Sequence, residues 1–368
     1  MIKEKIFNLI ILSFCCIVII VYLKNNNLEN FSNLPEIEGP VFVHLHDQNG
    51  NKLNIVAISK PFSSLDNYKT YLTLKSKYKF IGVSSYMEFP ETPSNPHDNY
   101  KDFNLINEDE PHNGNIYYKS MYSDITEGWL HCFRNPEKFI PIDKPHLLLS
   151  ESDFTNYHNY SPDPKIKKKY DYMLNCPKVK NGNPCNDWVA YNKNWELGKK
   201  VVELLSGTLG LRGLLIGRKG CKLSKEAEQN VTKTGWLDYS KAIKQYNKCR
   251  FIVMPNKVDA SPRVLTEALS YNLPAIVNTN ILGGWKYIND QTGIIFTDEK
   301  DLEKKIYNFI ENLDKFEPRK YIIDNYGPLN SGIKLKNFLY KNFEKHINLP
   351  KNEVEYVTIR SPKINFKK

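Results

Sequence analysis

The sequence has no pair of cysteines at C-x-x-C spacing among its seven, which excludes the common zinc-ribbon and finger scaffolds. It carries no nucleic-acid-binding motif, so its net charge of +10 points to a phosphorylated substrate or an anionic surface, with no nucleic acid as partner. No small-x-small cleavage site follows its one long apolar run, residues 6–23, which holds no charged side chain and is just long enough to span a bilayer. That run therefore reads as a retained transmembrane signal anchor. Lys3, Lys5 and the amino terminus outweigh Lys24, so the positive-inside rule leaves residues 1–5 cytosolic and the rest lumenal.

The 368 residues suffice for two domains with full cores. Residues 24–40 are polar and Asn-rich and read as a stem. Strands over 41–45, 55–58 and 80–83, with a helix over 64–78, predict a first α/β domain spanning 41–160. Residues 88–115 are rich in Pro, Asn, Asp and His without apolar periodicity, as expected of an acceptor-binding loop or of disorder. A further strand over 147–149 delivers Ser150 and Asp153 to its carboxyl end. His131 and Arg134 lie in an aromatic-framed segment, where His131 either faces a cleft or is a satisfied structural histidine. Residues 157–169 read as the linker to a second domain, 170–310, with strands over 170–176 and 211–216 and helices over 194–205 and 239–247. Helices follow over 311–348, then a basic tail over 349–368 with little core. Outside the span five cysteines remain, and Cys176 with Cys185, flanking a Pro/Gly/Asn loop, is the expected disulfide in an oxidising lumen. Asn30, Asn159 and Asn230 head N-x-[ST] sequons.

The most informative stretch is 251–296. An apolar strand over 251–254 is closed by Pro255, and a polar loop, 256–260, follows. Ser261 stands where a helix N-cap is expected and Pro262 at the first helical position. Val264, Leu265, Ala268 and Leu269 share one helical face, Asn272 and Pro274 stop the helix, and 275–277 is the next strand. Strand, helix, strand makes a right-handed crossover and puts the loop at the carboxyl edge of a parallel sheet. Arg263 is a cation at the positive end of the helix dipole, a conflict that a bound diphosphate would relieve. Asp259 and Glu267, eight apart, are placed to accept hydrogen bonds from sugar hydroxyls beside it. The alternative is an i,i+4 surface pair of Arg263 with Glu267.

Asp259, Glu267, Leu273-Pro274 and Gly283-Gly284 carry a resemblance to group-1 (family 4) glycosyltransferases, whose fold is GT-B: two Rossmann-like α/β domains facing across a cleft. It covers roughly residues 170–296, and Asp259 replaces the family's usual glutamate. The resemblance implies that Glu267 holds the donor's ribose and Asp259 approaches its sugar, while Ser261, Pro262, Val264 and Arg263 cradle the diphosphate. A lysine after the first strand is expected to grip the same group; Lys193-Asn194 stands there, with Arg218 as a second candidate, either being otherwise solvated surface. Gly235, Trp236 and Leu237 match the turn that meets the nucleotide base, Gly283 and Gly284 permit close approach to the ligand, and His131 would be a first-domain contact to the sugar. A terminal helix is expected to cross back onto the first domain. The implied reaction moves a sugar from a nucleoside diphosphate to a hydroxyl on a glycan, protein or lipid, with retention and without a metal, since no Asp-x-Asp occurs. The rivals are an inverting GT-B enzyme, which needs a first-domain base, and a catalytically inactive, membrane-tethered glycan-binding protein, which would bind no nucleoside diphosphate.

Overall fold

The computed structural model describes residues 41–59, 65–84, 125–177 and 185–359. The anchor, the stem, the 88–115 stretch, the Asn30 sequon and residues 360–368 lie outside these. Among the described residues no helix is long and apolar enough to cross a membrane.

The first lobe starts with β1 (Phe42–Asp47) and β2 (Lys52–Ile58), an antiparallel hairpin. Its turn is dictated locally: the Asp47 carboxylate accepts from the amides of Asn49 and Asn51 at 2.9 and 2.7 Å, and Gly50 takes φ +87°. The regular strand–helix alternation expected from sequence therefore begins only afterwards, because four residues are too few for a parallel crossover. Helix α1 (Leu65–Leu74) leads to β3 (Lys79–Val83), and β4 (Gly128–His131) and β5 (His146–Leu148) complete a parallel run from β2 to β5.

The second lobe is wholly parallel. Its elements are β6 (Tyr170–Asn175), α2 (Trp188–Asn192), α3 (Trp195–Val202) continuing into a π-helical segment (Glu203–Thr208), β7 (Gly213–Ile216), α4 (Lys225–Asn230), β8 (Val231–Thr234) and α5 (Tyr239–Tyr246). Then come β9 (Cys249–Met254), α6 (Arg263–Ser270), β10 (Ala275–Asn278), β11 (Gly293–Phe296) and α7 (Glu299–Glu311). The strand order β11-β10-β9-β6-β7-β8 reverses direction between β9 and β6. Beyond the carboxyl ends of those two strands lies the crevice where open parallel sheets bind ligands. Phe251, Ile252, Val253 and Met254 of β9 are at most 1% exposed, each contributing about 1.5–3 kcal/mol of burial, so the floor of that crevice is rigid.

The chain then returns. Helices α8 (Pro318–Asn325) and α9 (Gly327–Phe343) bring Leu335, Leu339 and Phe343 against Leu45, Ile55, Ile81 and Leu130 of the first lobe, the terminal crossover that the resemblance implies. The supposed basic tail is not coreless. Strand β12 (Val357–Thr358) pairs with β1, giving the first sheet the order β12-β1-β2-β3-β4-β5, and Val354, Val357 and Ile359 are buried. Three apolar residues spread among charged ones gave no periodic signal, and only a partner strand makes them core.

The disulfide also differs from expectation. Cys185 pairs with Cys221, their Cα atoms 5.4 Å apart, while Cys176 is a buried free thiol at the end of β6. The Arg218 side chain occupies the space beside Cys176, its Nε donating to the sulfur at 3.3 Å.

Buried histidines make the first lobe acid-sensitive. Both ring nitrogens of His44 are buried without a partner, and burial, aided by Lys52, pushes its pKa down to about 4; His131 is pushed to about 3, again chiefly by burial. The unfolded chain titrates near 6.5 and binds these protons first, so stability is complete above that value and falls as the pH drops toward 4. The two together remove roughly 4 kcal/mol between pH 7 and pH 5, and His44→Phe halves that part of the loss. Urea unfolding at the two pH values checks it; equal pH dependence in variant and parent is the contrary result.

Candidate active site

Helix α6 starts one residue later than its sequence signals suggest. Pro262 takes the N-cap position, with ψ 85° and no side-chain cap, instead of the first helical position. Ser261 does not cap: its hydroxyl accepts from the Ser152 amide at 2.8 Å and donates to the Ser152 hydroxyl at 2.9 Å, which ties the helix start to the first lobe. The first backbone N–H groups of α6 have no intrahelical acceptor, and Arg263 and Val264 line the cavity in front of them.

The loop that feeds α6 is strapped on both sides. The amides of Lys257 and Val258 donate to the Asn192 carbonyl, and the Gly283 amide to the Asp259 carbonyl at 2.8 Å. Lys193 Nζ meets Asp259 Oδ2 at 2.5 Å, and Asn256 Nδ2 donates to the same oxygen at 2.7 Å. Lys193 and Asp259, 66 residues apart in sequence, thus form one ion pair at the β6/β9 switch point, with Lys193 as the C-cap of α2.

Glu267 is 8% exposed, which rules out the surface pair with Arg263. Its Oε2 accepts from Tyr246 at 3.0 Å and its Oε1 from Tyr239 at 3.2 Å, and Tyr239 in turn meets the Tyr160 hydroxyl from the linker. Burial raises its pKa, opposed by those tyrosines and by Arg263. Arg263 is exposed, and among the described residues no ion pair holds it. Glu267, Arg263, Val264, Tyr160, Tyr239 and Asn175 line a cavity of about 540 Å³, the volume of a ligand site, whose other wall comes from Glu151, Phe154 and Thr155 of the first lobe.

The lobes meet directly behind that wall. Asp153, 1% exposed, accepts from Lys286 Nζ at 2.5 Å, from the Tyr287 hydroxyl at 2.6 Å and from the Ser150 amide at 2.6 Å. Ser331 of α9 donates to its carbonyl at 2.7 Å, and Thr155 and Thr266 share a 2.6 Å hydroxyl contact.

Of the sequence candidates only Arg263, Val264 and Glu267 line this cavity; Lys193, Asp259, Ser261 and Pro262 do not, and the others fall away from it as well. Arg218 is fully buried, paired with Asp187 at 2.8 Å and bonded to the Pro177 carbonyl, so it holds the 185–187 segment and does not face a diphosphate. Gly235 has open space around it, Trp236 is 72% exposed and Leu237 packs on the second-lobe core; none lines the cavity. Gly283 and Gly284 serve the protein: a Cβ on Gly283 would stand 1.9 Å from the Ala260 carbonyl oxygen, and Gly284, at φ +86°, abuts Pro262. His131 is 3% exposed; its Nδ1 accepts from the Phe133 amide, so the proton sits on Nε2, which faces His146 Nδ1 at 3.2 Å. No lone pair is left to act as a base, and the catalytic assignment gives way to a structural one.

The tyrosines around Glu267, the Asp153–Lys286 pair and Asn256 were not singled out from sequence. Tyr239 and Tyr246 stand seven apart, two turns of one helix face, which is the signal that could have found them. Among the described residues no group of three or more His, Cys, Asp or Glu side chains is placed to hold a metal ion.

Residues 189–312, about a third of the chain, match the family model described as glycosyl transferases group 1, so the second lobe carries a glycosyltransferase domain. No curated protein matches by sequence. Among solved structures, TarM is 15% identical with a TM-score of 0.53, covering 77% of this chain; the chain spans 54% of TarM, about half its length. Sucrose-phosphate synthase from Thermosynechococcus elongatus is 10% identical with a TM-score of 0.54, covering 79% of this chain and 74% of its own. HepE of Anabaena in complex with UDP is 9% identical with a TM-score of 0.52, covering 75% of each. These likenesses establish the fold, the two-lobed GT-B arrangement.

Proposed function

We propose that the protein is a membrane-anchored transferase that moves a sugar from a nucleoside diphosphate to an acceptor hydroxyl on a glycan, protein or lipid. The observation that carries this reading is the cavity at the start of α6, where a buried carboxylate, Glu267, and a cation, Arg263, that no ion pair holds among the described residues face the same space. In it Glu267 accepts from the ribose hydroxyls, and the diphosphate lies against the helix start and Arg263. The hard event is departure of the diphosphate as the anomeric carbon gains positive character. Fixed positive charge at Lys193, Arg263 and the first amides of α6 meets the charge that develops on the leaving group. Asp259, held by Lys193 and Asn256, orients the sugar. No metal enters this reading. Retention of anomeric configuration is carried over from the resemblance, and a His131 locked at both nitrogens disfavours the inverting rival.

Anchoring through residues 6–23, with the catalytic part lumenal, belongs to the same reading, and the Cys185–Cys221 disulfide fits an oxidising compartment. HepE was solved with UDP and glucose, which makes UDP-sugars the first donors to try. Full-length protein in detergent, offered a panel of UDP-, GDP-, ADP- and dTDP-sugars, is expected to hydrolyse one of them slowly without acceptor and to release a sugar of the donor's anomeric configuration. Failure to bind any nucleoside diphosphate by calorimetry would sink the transferase in favour of a glycan-binding protein.

A further inference from the structure

The lysine paired with Asp259 stands at the end of a helix that has very little core of its own. Helix α2 is five residues long, too short to persist by its backbone hydrogen bonds alone. Ala190 is its buried side chain, while Trp188 is 52% exposed. Its far end is fixed from outside: the Asn192 carbonyl accepts from the amides of Lys257 and Val258, and Trp195 just beyond is buried. Its near end depends on Asp187, whose Oδ1 accepts from the Ala190 amide at 2.7 Å, as the N-cap, and from Arg218 Nη2 at 2.8 Å.

Arg218 is the fixed point of this arrangement. It is fully buried, with Nε on the Cys176 sulfur and Nη2 on the Pro177 carbonyl as well as on Asp187. The sequence that leads from β6 to Asp187 contains Asn181-Gly182-Asn183-Pro184, which supplies no local preference able to deliver a carboxylate to that guanidinium. The disulfide does supply it. Cys185, two residues before Asp187, is joined to Cys221, and the Cys221 amide donates to the Arg218 carbonyl at 2.9 Å. Bridge and ion pair therefore close one small ring through Cys185, Asp187, Arg218 and Cys221.

We infer that the Cys185–Cys221 bridge is a positioning element for Lys193: it seats Asp187 on Arg218, Asp187 starts α2, and α2 carries the lysine to Asp259. This rests on the transferase reading, in which Lys193 meets charge on the leaving group. It makes turnover depend on redox state, the oxidised protein being the active form. A dithiol opens the bridge by giving up two electrons and two protons: Cys185 and Cys221 become thiols, and the dithiol closes to a cyclic disulfide.

The test uses the full-length protein in detergent, untreated and after dithiothreitol, together with Cys185→Ser and Cys221→Ser, so that reduction of the parent still reports if a variant misfolds. Hydrogen exchange of the amides of Ala190, Tyr191 and Lys193, which donate to Asp187 and Val189, reads the seating of α2 independently of activity. Exchange there is expected to quicken tenfold or more when the bridge is opened. On the donor that the panel of UDP-, GDP-, ADP- and dTDP-sugars selects, kcat is expected to fall about tenfold to a hundredfold, the scale of a catalytic group displaced by about 1 Å. Affinity for whichever of UDP, GDP, ADP and dTDP binds should stay within twofold. The decisive comparison is made on Lys193→Ala, where opening the bridge should lower kcat by less than twofold, since no lysine is left to misplace. An equal proportional loss with and without Lys193, or unchanged exchange or unchanged kcat in the parent, overturns this inference alone. Absence of binding of all four diphosphates by the parent overturns the transferase reading, and the exchange rates then decide by themselves whether the bridge seats α2.

Discussion

Lys193→Ala is expected to lower kcat by about 10²–10³-fold, the usual effect of deleting one preorganised positive group that faces charge developing in the transition state. The size of the effect follows from what the lysine does in two states. At rest its ammonium neutralises Asp259 at 2.5 Å, both side chains being mostly shielded from solvent at 24% and 13% exposure. In the proposed transfer the leaving diphosphate would add negative charge beside that carboxylate. Without Lys193 the same carboxylate repels the leaving group, so the variant loses an attraction and gains a repulsion. Asp259→Asn removes the repulsion but also the oriented acceptor, and a smaller loss is expected. Lys193→Arg keeps the charge and should recover part of the rate. Lys200→Ala, on the exposed side of α3, is the control and should leave kcat unchanged. Single-turnover kinetics separate chemistry from product release; a fall of less than about threefold for Lys193→Ala would mean that the ion pair is only structural.

Much of this site can be read without coordinates, and the reason lies in local chemistry. The apolar strand closed by Pro255, the proline at the entrance of α6 and the eight-residue spacing of Asp259 and Glu267 are short-range patterns, and they locate the β9–α6 unit correctly at a sheet's carboxyl edge. What the sequence misleads on is the use of each polar group once a second lobe is present. Ser261 has the right type and place for an N-cap, but a partner 109 residues away, Ser152, takes its hydroxyl. Arg218 follows a strand as a phosphate-binding arginine would, but the segment bearing Asp187 is held against it by the Cys185–Cys221 bridge and turns it into a buried structural cation. Gly283 and Gly284 are required by backbone approach, as expected, though the backbone they admit is the protein's own. Tyr160 carries no signal at all: it sits in a polar linker, and only the path of that linker over α6, clamped by Arg319 on the carbonyls of Tyr157, Tyr160 and Ser270, brings it to Tyr239. Long-range pairing decides these cases, and composition and period are blind to it.

The same long-range pairing makes Asp153 the position where a single change should do most damage to the fold. Its carboxylate is 1% exposed and the Lys286 side chain 6%. Asp153→Ala leaves that ammonium buried with no counter-charge and only the Ser150 hydroxyl at 3.3 Å, removes the carboxylate that accepts from the Tyr287 hydroxyl and the Ser150 amide, and is expected to cost about 3–5 kcal/mol. Most of that penalty is the orphaned charge and not the value of the pair, which a double-mutant cycle can demonstrate. Lys286→Met alone leaves a carboxylate that still has the Tyr287 and Ser150 donors, so it should cost less. Adding Lys286→Met to Asp153→Ala should restore part of the stability, giving a coupling of about 1–3 kcal/mol between the two sites. Asp153 belongs to the first lobe and Lys286 and Tyr287 to the second, and Ser331 reaches the same residue from the returning helix α9. Loss of this junction should therefore also loosen the wall formed by Glu151, Phe154 and Thr155 against the cavity, so that kcat falls at temperatures where the variant is still folded. Urea denaturation of the parent, both single variants and the double variant measures the coupling. Additive losses, or an Asp153→Ala cost below about 1 kcal/mol, would place this pair among exposed ion pairs of little consequence and remove the argument that the lobes are locked through it.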